Sequence, residues 1–237
     1  MSSANYRELT TQKEIAEAAA LMNAWQNPII PEKQWGLIQK EIGALRRGEA
    51  RQVAPFRSFL EACDSLPKKN DPYISILDVG ASSGYYSEVL KRDGFAWRYT
   101  ALDYSPAFKE FAAKIYPDVP FEVGDALNLP YPDASFDVVL SGCCLLHMYD
   151  WPQAVKETAR VADSYAIFHR TPLLKYEKTK FWWKTAYDVP CLEIWFNHDE
   201  FMNTIQSAGL KYLAKFPTFE NDSFGGYGHY TVVCEKL

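Results

Sequence analysis

Apolar residues recur at helical spacing through the first part of the chain. Three segments precede residue 67, and each places its apolar side chains on one face of a helix. The first segment begins at Thr11-Gln-Lys-Glu14, a capping-box arrangement, and the second follows Pro31. The apolar positions are Ile15, Ala18, Met22 and Trp25; Trp35, Ile38, Ile42 and Leu45; and Val53, Phe56, Leu60 and Cys63. We predict an N-terminal helical cap over residues 1–70. A linker or turn at 67–72 marks its end.

Beyond Tyr73, short apolar runs alternate with helical stripes, which favours an α/β domain with a parallel sheet over residues 71–237. The predicted strands are 74–78, 97–102, 119–123, 136–140, 164–168, 210–216 and 227–235. The helical stripes between them fall at 107–115 and 151–161, and a last helix runs from near Asn197 to Gly209. Residues 171–196 break this alternation and are rich in aromatic residues and lysine.

A glycine-rich turn joins the first predicted strand to the helix that follows it. The segment Asp78-Val-Gly80-Ala-Ser-Ser-Gly84 has the pattern Asp-x-Gly-x-x-x-Gly. Gly80 and Gly84 let the backbone turn tightly and approach a ligand, and the helix N-terminus beyond them offers unpaired N–H groups. The pattern lacks Gly-x-Gly-x-x-Gly and also Gly-x-x-x-x-Gly-Lys-Ser/Thr, so the usual dinucleotide and phosphate fingerprints are absent.

An acidic residue follows each of the next two predicted strands. Asp103 ends the second strand, where a carboxylate can accept hydrogen bonds from both hydroxyls of a ribose. The alternative is that Asp103 caps the helix that starts near Ser105, although Ser105 is itself a suitable capping residue. Asp125 follows the third strand at the edge where α/β folds bind ligands, and stabilisation of a turn is its alternative role.

Taken in order, these elements resemble the class I S-adenosylmethionine-dependent methyltransferases, whose fold is Rossmann-like. The resemblance covers roughly residues 74–141 and implies a seven-stranded sheet of order 3-2-1-4-5-7-6 with the last strand antiparallel. It also implies that Asp78 holds the loop and the amino end of the donor, Asp103 the ribose, and Asp125 the adenine edge. The implied cofactor-binding residues are Asp78, Gly80, Ala81, Gly84, Asp103, Tyr104, Asp125, Ala126 and Ser141.

The electrophile in this chemistry is the methyl group of a sulfonium, so the protein must mainly align donor and acceptor and exclude water. A hydroxyl acceptor often also needs a base. His147, after the fourth strand, is the first candidate base, and a buried or capping histidine is the alternative. His169, at the end of the fifth strand, is the second candidate. Arg170 would bind a substrate anion or form a surface ion pair, and His229 would face the site from its rim.

The aromatic segment 171–196 is the predicted lid and acceptor pocket. Tyr176, Trp182 and Trp195 can stack on a sugar, an aromatic ring or a planar heterocycle. Ordinary core packing of an inserted helix pair is the alternative, and both can hold together. His198, beside the start of the last helix, is expected to be structural.

The composition of the chain limits which partners and metal ions we expect it to bind. The net charge is −5 with no long basic run, so we expect no nucleic-acid or membrane partner. The five cysteines are odd in number and form no Cys-x-x-Cys pair, which argues against disulfides and a zinc site and favours the cytoplasm. No metal is indicated. Cys143 and Cys144 are adjacent and are expected to be small buried residues rather than a chelating pair.

The sequence therefore predicts an S-adenosylmethionine-dependent methyltransferase, a monomer or homodimer, that modifies oxygen or nitrogen of a sugar, natural product or other metabolite. Four alternatives stay open. They are another enzyme of the same fold that binds S-adenosylmethionine or its decarboxylated form, a methyltransferase of protein or nucleic acid, a non-catalytic binding module, and an NAD(P) oxidoreductase. The glycine pattern disfavours the last of these.

Overall fold

The computed structural model describes residues 6–66, 71–221 and 226–237. Its N-terminal part is helical, as predicted. The elements are β1 (Tyr6–Leu9), α1 (Gln12–Ala19), a 3₁₀ helix (Ala20–Gln26), α2 (Ile30–Leu37), α3 (Gln39–Arg46), a short 3₁₀ helix (Ala50–Gln52) and α4 (Ala54–Asp64). The capping box at Thr11 and Glu14 is present. Two features differ from the prediction: strand β1 precedes α1, and the second predicted helix breaks at Ile38.

Strands and helices alternate from residue 75 onward. They are β2 (Ser75–Val79), α5 (Tyr86–Arg92), β3 (Arg98–Asp103), α6 (Pro106–Ile115), β4 (Phe121–Val123), β5 (Phe136–Gly142), a 3₁₀ helix (Leu145–His147), α7 (Trp151–Val161), β6 (Ala162–Leu174), β7 (Lys180–Ala186), β8 (Val189–Asn197), α8 (His198–Ser207), β9 (Leu210–Asn221) and β10 (Tyr227–Lys236). The helix α8 starts at an Asn197 cap and is followed by Gly209, whose φ is +80°.

The central sheet has the predicted order. Strands β4, β3, β2, β5 and β6 are parallel neighbours, and β10 lies antiparallel between β6 and β9. Counted along the seven predicted strands, this is 3-2-1-4-5-7-6. The Rossmann-like class is confirmed.

Three further strands extend this sheet. Strands β7 and β8 form an antiparallel hairpin, and β1 pairs with β7 along its outer edge. The end of β6 runs past the predicted residue 168 and pairs with β8 at Leu173–Phe196 and Leu174–Asn197. The predicted lid segment is therefore a strand end and a hairpin, and the alternative of an inserted helix pair is wrong.

Helices cover both faces of the central sheet. Ile76 packs in one hydrophobic core with α3, α4 and α5, whereas its neighbour Leu77 packs in the other core with α1, α7 and α8. This opposition follows because successive strand residues point to opposite faces. The N-terminal helices share these cores with the sheet, and α4 packs against β9 and β10. A division of the chain near residue 70, within the undescribed segment 67–70, stays a prediction.

Candidate active site

A cavity of about 380 Å³ lies at the carboxyl edge of the parallel strands. The loops after β2, β3, β4 and β5 form one side of it. Residues of the first 3₁₀ helix, of the β7–β8 hairpin and of the ends of β6 and β10 form the other side. The volume is in the range of small-molecule sites, and the position is the one at which open α/β sheets bind ligands. We call the two sides the donor half and the acceptor half.

The glycine-rich loop is the floor of the donor half. Gly80 has φ +74°, and a Cβ placed there would lie 2.4 Å from Cβ of Cys144, so only glycine fits. The N–H groups of Gly80 and Ala81 donate to the carbonyl of Leu102 at 2.8 and 3.0 Å. These bonds tie the loop to β3 and leave Gly80 and Ala81 on the cavity wall. Gly84, with φ +78°, turns the chain but does not line the cavity.

Asp103 is the best-anchored acid of the cavity wall. Its two carboxylate oxygens accept hydrogen bonds from the N–H groups of Ser82 at 2.8 Å and Ser105 at 3.0 Å. The side chain is 8% exposed, and burial raises its pKa to about 6 against the opposing effect of these N–H groups. The Ser105 hydroxyl makes no capping bond to α6. Asp103 therefore holds the loop and the start of α6 together while it faces the cavity.

Asp125 and Ala126 line the adjoining wall. One oxygen of Asp125 accepts from the N–H of Leu127 at 2.9 Å, which is an Asx-type turn. The predicted turn role and a position on the cavity wall thus coexist in one residue. Tyr104 also lines the cavity, and its hydroxyl donates to the side-chain oxygen of Asn23 at 2.8 Å.

Asp78 and Ser141 lie behind the wall rather than on it. Asp78 is fully buried, its Oδ2 accepts from the Tyr99 hydroxyl, and burial raises its pKa to about 7. Its Oδ1 has no hydrogen-bond partner among the described residues, and a Cβ on the cavity-lining Gly142 would lie 3.0 Å from that oxygen. The hydroxyl of Ser141 lies 3.4 Å from the sulfur of Cys144.

His147 lies in the acceptor half. Its Nδ1 is 2.7 Å from the carbonyl oxygen of Leu192, and a carbonyl can only accept, so Nδ1 carries the proton. The imidazole ring lies 4.5 Å from the Trp25 ring. Burial lowers the pKa of His147 to about 4, although Glu193 opposes that shift. The side chain is therefore a neutral imidazole at pH 7 whose Nε2 is an unprotonated acceptor.

His169 lies behind the wall and is fully buried. Its Nδ1 is 2.7 Å from the Thr231 hydroxyl, which in turn donates to the Ser58 hydroxyl at 3.1 Å. Nδ1 must therefore donate, and Nε2 accepts from the Tyr86 hydroxyl at 2.6 Å. Burial lowers the pKa of His169 well below its usual value. Of this chain of groups, Tyr86 reaches the cavity.

Arg170 and His229 both line the acceptor half. Among the described residues, no acceptor or carboxylate lies within hydrogen-bond or ion-pair distance of the Arg170 guanidinium, so the predicted alternative of a surface ion pair is wrong. The backbone of Arg170 is left-handed, with φ +55°. Nδ1 of His229 lies 3.3 Å from the carbonyl of Arg170, and burial lowers the pKa of His229 to about 4.

Three aromatic residues predicted for the acceptor pocket do not line the cavity. Tyr176 is 70% exposed. The rings of Trp182 and Trp195 lie 4.6 Å apart and form a layer outside the wall, where Trp195 contacts Tyr227 at 4.4 Å. Of this layer, Tyr227 lines the cavity. The aromatic segment thus supports the pocket more than it forms it.

A buried ion pair in the acceptor half was missed at the sequence level. Glu193 is 2% exposed and accepts from Lys184 at 2.5 Å, from Trp195 Nε1 at 2.8 Å and from the Tyr6 hydroxyl at 3.2 Å. Burial alone would raise the pKa of Glu193, but Lys184 holds it below its ordinary value. Lys184 and Glu193 meet through the pairing of β7 with β8, so no local pattern in the sequence predicts this ion pair.

Comparison with known proteins identifies the core of this fold. Residues 77–168 match the family model described as a methyltransferase domain. These residues therefore form a methyltransferase domain within the chain. A stretch covering 49% of the chain is 37% identical over 123 residues to the probable chloroplastic tocopherol O-methyltransferase of Oryza sativa subsp. japonica, of which it covers 33%. Over 46 residues, 19% of the chain, it is 52% identical to the ajmaline N-methyltransferase of Rauvolfia serpentina, of which this stretch covers 16%.

The chain therefore spans a third or less of these curated relatives. Among solved structures, it is similar to the Burkholderia thailandensis 1,6-didemethyltoxoflavin-N1-methyltransferase with bound 1,6-didemethyltoxoflavin and S-adenosylhomocysteine. The likeness has a TM-score of 0.60 at 14% identity and covers 100% of this chain and 97% of that one. At this identity the likeness shows that the two chains share a fold.

The donor half fits S-adenosylmethionine, which the family supports as the cofactor. The Gly80 backbone leaves open the space that a side chain would fill, and Asp103 and Asp125 face the cavity at adjacent strand ends. Oδ1 of Asp78, which has no hydrogen-bond partner among the described residues, lies beside Gly142 of the cavity wall. Within the described residues, no group of histidine, cysteine or acidic side chains could hold a metal ion, and no helix is long and apolar enough to cross a bilayer.

Proposed function

We propose that this protein transfers the methyl group of S-adenosylmethionine to oxygen or nitrogen of a small molecule. One observation carries the proposal: a single cavity joins the glycine-rich loop and the two strand-end acids to a wall of aromatic and titratable side chains. Donor and acceptor can then meet in one enclosed space, which is the arrangement that in-line transfer needs.

The donor half supplies binding and orientation. Asp103 accepts hydrogen bonds from the two ribose hydroxyls, and the Asp125–Ala126 turn contacts the adenine edge. Asp103 is suited to this because two backbone N–H groups already fix its carboxylate. Asp78 and Ser141 support the loop from behind, and Asp78 offers its unpartnered oxygen toward the amino end of the donor. The sulfonium of the bound donor supplies the electrophilic methyl group.

His147 is the proposed base. Its fixed tautomer presents Nε2 as an acceptor, and its low pKa keeps it unprotonated at pH 7. It can take the proton of an acceptor hydroxyl as the oxygen attacks the methyl group. His169 has both ring nitrogens engaged, so we assign it a positioning role through Tyr86. His229 and Arg170 contact the acceptor.

A small acceptor suits the enclosing walls. The first 3₁₀ helix contributes Met22 and Trp25 to the cavity, and the hairpin contributes Lys184, Tyr187 and Glu193. The relatives include proteins named for alkaloid N-methylation and tocopherol O-methylation. We expect a monomer or homodimer in the cytoplasm, and neither nucleic acid nor protein as acceptor.

The test has two steps. Isothermal titration calorimetry with S-adenosylmethionine, S-adenosylhomocysteine and NADH should give micromolar affinity for the first two and none for the third. Transfer of radiolabelled methyl groups to pools of phenols, sugars and heterocyclic amines should then find an acceptor. Absence of donor binding would contradict the proposal. Donor binding without transfer to any pool would favour a non-catalytic binding module.

A further inference from the structure

Arg170 is a cation in the acceptor half with no carboxylate partner among the described residues. It lines the cavity, and none of the ion pairs between described residues involves its guanidinium. Ionised groups in partly buried sites are normally paired, because losing water around a lone charge is costly. A missing partner at a cavity wall therefore points to a ligand.

The other charges of the cavity are already balanced or fixed. Glu193 is held by Lys184 at 2.5 Å. Asp103 accepts two backbone N–H bonds in the donor half, and Asp125 accepts one. His147 and His229 carry no charge at pH 7 in their buried positions. Within the part of the chain that the structure describes, Arg170 is thus the one cation of the acceptor half that no carboxylate pairs with.

The surroundings of Arg170 restrict the shape of what can pair with it. Cys143, Tyr85, Tyr86 and Tyr187 interact electrostatically with its guanidinium, and all four line the cavity. Tyrosine rings favour a flat partner, and a guanidinium matches a carboxylate through two parallel hydrogen bonds. Cys143 and Arg170 both have left-handed backbones, at φ +60° and +55°. Such conformations are uncommon for these residue types and cluster at ligand sites.

We propose that the methyl acceptor is a planar organic carboxylate whose anionic group pairs with Arg170. This rests on the proposed methyltransferase function and narrows its acceptor to one chemical class. The carboxylate neutralises the guanidinium and anchors one end of the ring, which leaves the nucleophilic hydroxyl or amine at the other end free to approach the donor. Neutral sugars and cationic alkaloids lack this anchor.

The experiment compares carboxylates with neutral amides of the same shape. The probes are 4-hydroxybenzoate and 4-aminobenzoate against 4-hydroxybenzamide and 4-aminobenzamide, titrated by calorimetry in saturating S-adenosylhomocysteine. The variants are Arg170→Gln, Arg170→Lys and the exposed control Arg47→Gln. Wild type and R47Q should bind the carboxylates at least tenfold more tightly than the amides. R170Q should lose this preference with its affinity for S-adenosylhomocysteine unchanged, and R170K should keep part of it.

The outcomes separate the two proposals. Failure of wild type to bind S-adenosylhomocysteine contradicts the methyltransferase function itself. Binding of S-adenosylhomocysteine with no preference for carboxylates, or with no probe bound at all, overturns the anionic acceptor alone. A fall of tenfold or more in S-adenosylhomocysteine affinity in R170Q also overturns it, because Arg170 would then bind the carboxylate of the donor. If R170Q does not fold, R170K provides the test. An R170K variant that prefers carboxylates over amides as strongly as wild type does would contradict a paired hydrogen bond from the guanidinium to the carboxylate.

Discussion

The donor half and the acceptor half of the cavity are built in different ways. The donor half comes from consecutive strand–loop units, and its decisive hydrogen bond, from Ser82 to Asp103, joins residues 21 apart. The acceptor half comes from distant segments, and its buried cluster joins Tyr6 to Glu193 across 187 residues. Backbone N–H groups fix the donor half, whereas side chains fix the acceptor half.

Under the proposed function, this difference separates the residues that bind the cofactor from those that select the acceptor. A carboxylate held by backbone N–H groups depends little on the side chains around it, so the donor half tolerates change elsewhere. The acceptor half depends on particular side chains of the hairpin and of the N-terminal elements. Substitutions in the two halves should therefore have separable effects on donor affinity, turnover and stability.

The largest effect is expected from Asp103→Ala. Two charge-assisted bonds to ribose hydroxyls would be lost, at about 2 kcal/mol each, or close to a thousandfold in affinity for S-adenosylhomocysteine. Calorimetry measures this loss, and urea unfolding should show a smaller loss of stability, since the Ser82 and Ser105 N–H groups lose an acceptor. The exposed Asp118→Ala is the matched control. Unchanged affinity in D103A would remove Asp103 from the donor site.

The next effect tests the acceptor half through its ion pair. Glu193→Gln leaves Lys184 charged and without a carboxylate, which should reduce the free energy of unfolding by about 3 kcal/mol. Adding Lys184→Met should recover most of it, because no buried charge then remains. Urea unfolding measures the stability of the single and the double variant. The affinity of both variants for S-adenosylhomocysteine should equal that of wild type. A wild-type stability for E193Q would show that the pair does not support this wall.

His147→Ala tests catalysis apart from binding. Loss of a base should slow turnover about a hundredfold. Steady-state kinetics with an acceptor found by screening gives the rate, and calorimetry should show nearly intact affinity for S-adenosylhomocysteine. His198→Ala, on α8 and half-exposed, is the control. Unchanged turnover in H147A would mean that catalysis rests on alignment alone or on another base.

The smallest effect is the dependence of donor affinity on pH. Burial raises the pKa of Asp103 to about 6, so the carboxylate proposed to accept the ribose bonds is ionised above pH 6 and protonated below it. Affinity for S-adenosylhomocysteine should fall about tenfold between pH 7.5 and 5. Asp103→Ala should abolish most of this dependence, and a flat wild-type profile would contradict it. His147 contributes little here, since its pKa is about 4.

The sequence predicts the donor half of the cavity better than the acceptor half. The glycine turn and the acids Asp103 and Asp125 were predictable because each lies within a short stretch with a fixed spacing, whereas the strand order was an implication of the resemblance to the methyltransferases. Gly80 faces the cavity as predicted. Gly84 and Asp78 do not line it, because spacing along the chain does not reveal which side chains lie one layer deeper.

The acceptor half was predictable only in part. Arg170, His147 and His229 lie near the ends of strands predicted from the sequence, and they do line the cavity. His169 lies next to Arg170 in sequence but on the opposite side of β6, so it points away from the cavity into a chain of hydroxyl groups. Tyr6, Lys184 and Glu193 meet through pairing of β1 with β7 and of β7 with β8, and no local pattern announces that contact.

Strand β1 also has a consequence for the order in which the site forms. Closing a contact over 187 residues rather than 21 costs about 2 kcal/mol more in chain entropy. During synthesis, β1 emerges first but must wait for its partner β7, whereas the loops of the donor half can assemble as soon as β5 has been made. Folding should therefore pass through a stage with a finished cofactor site and an open acceptor wall, in which amides of β1 exchange with solvent before those of β2 and β3.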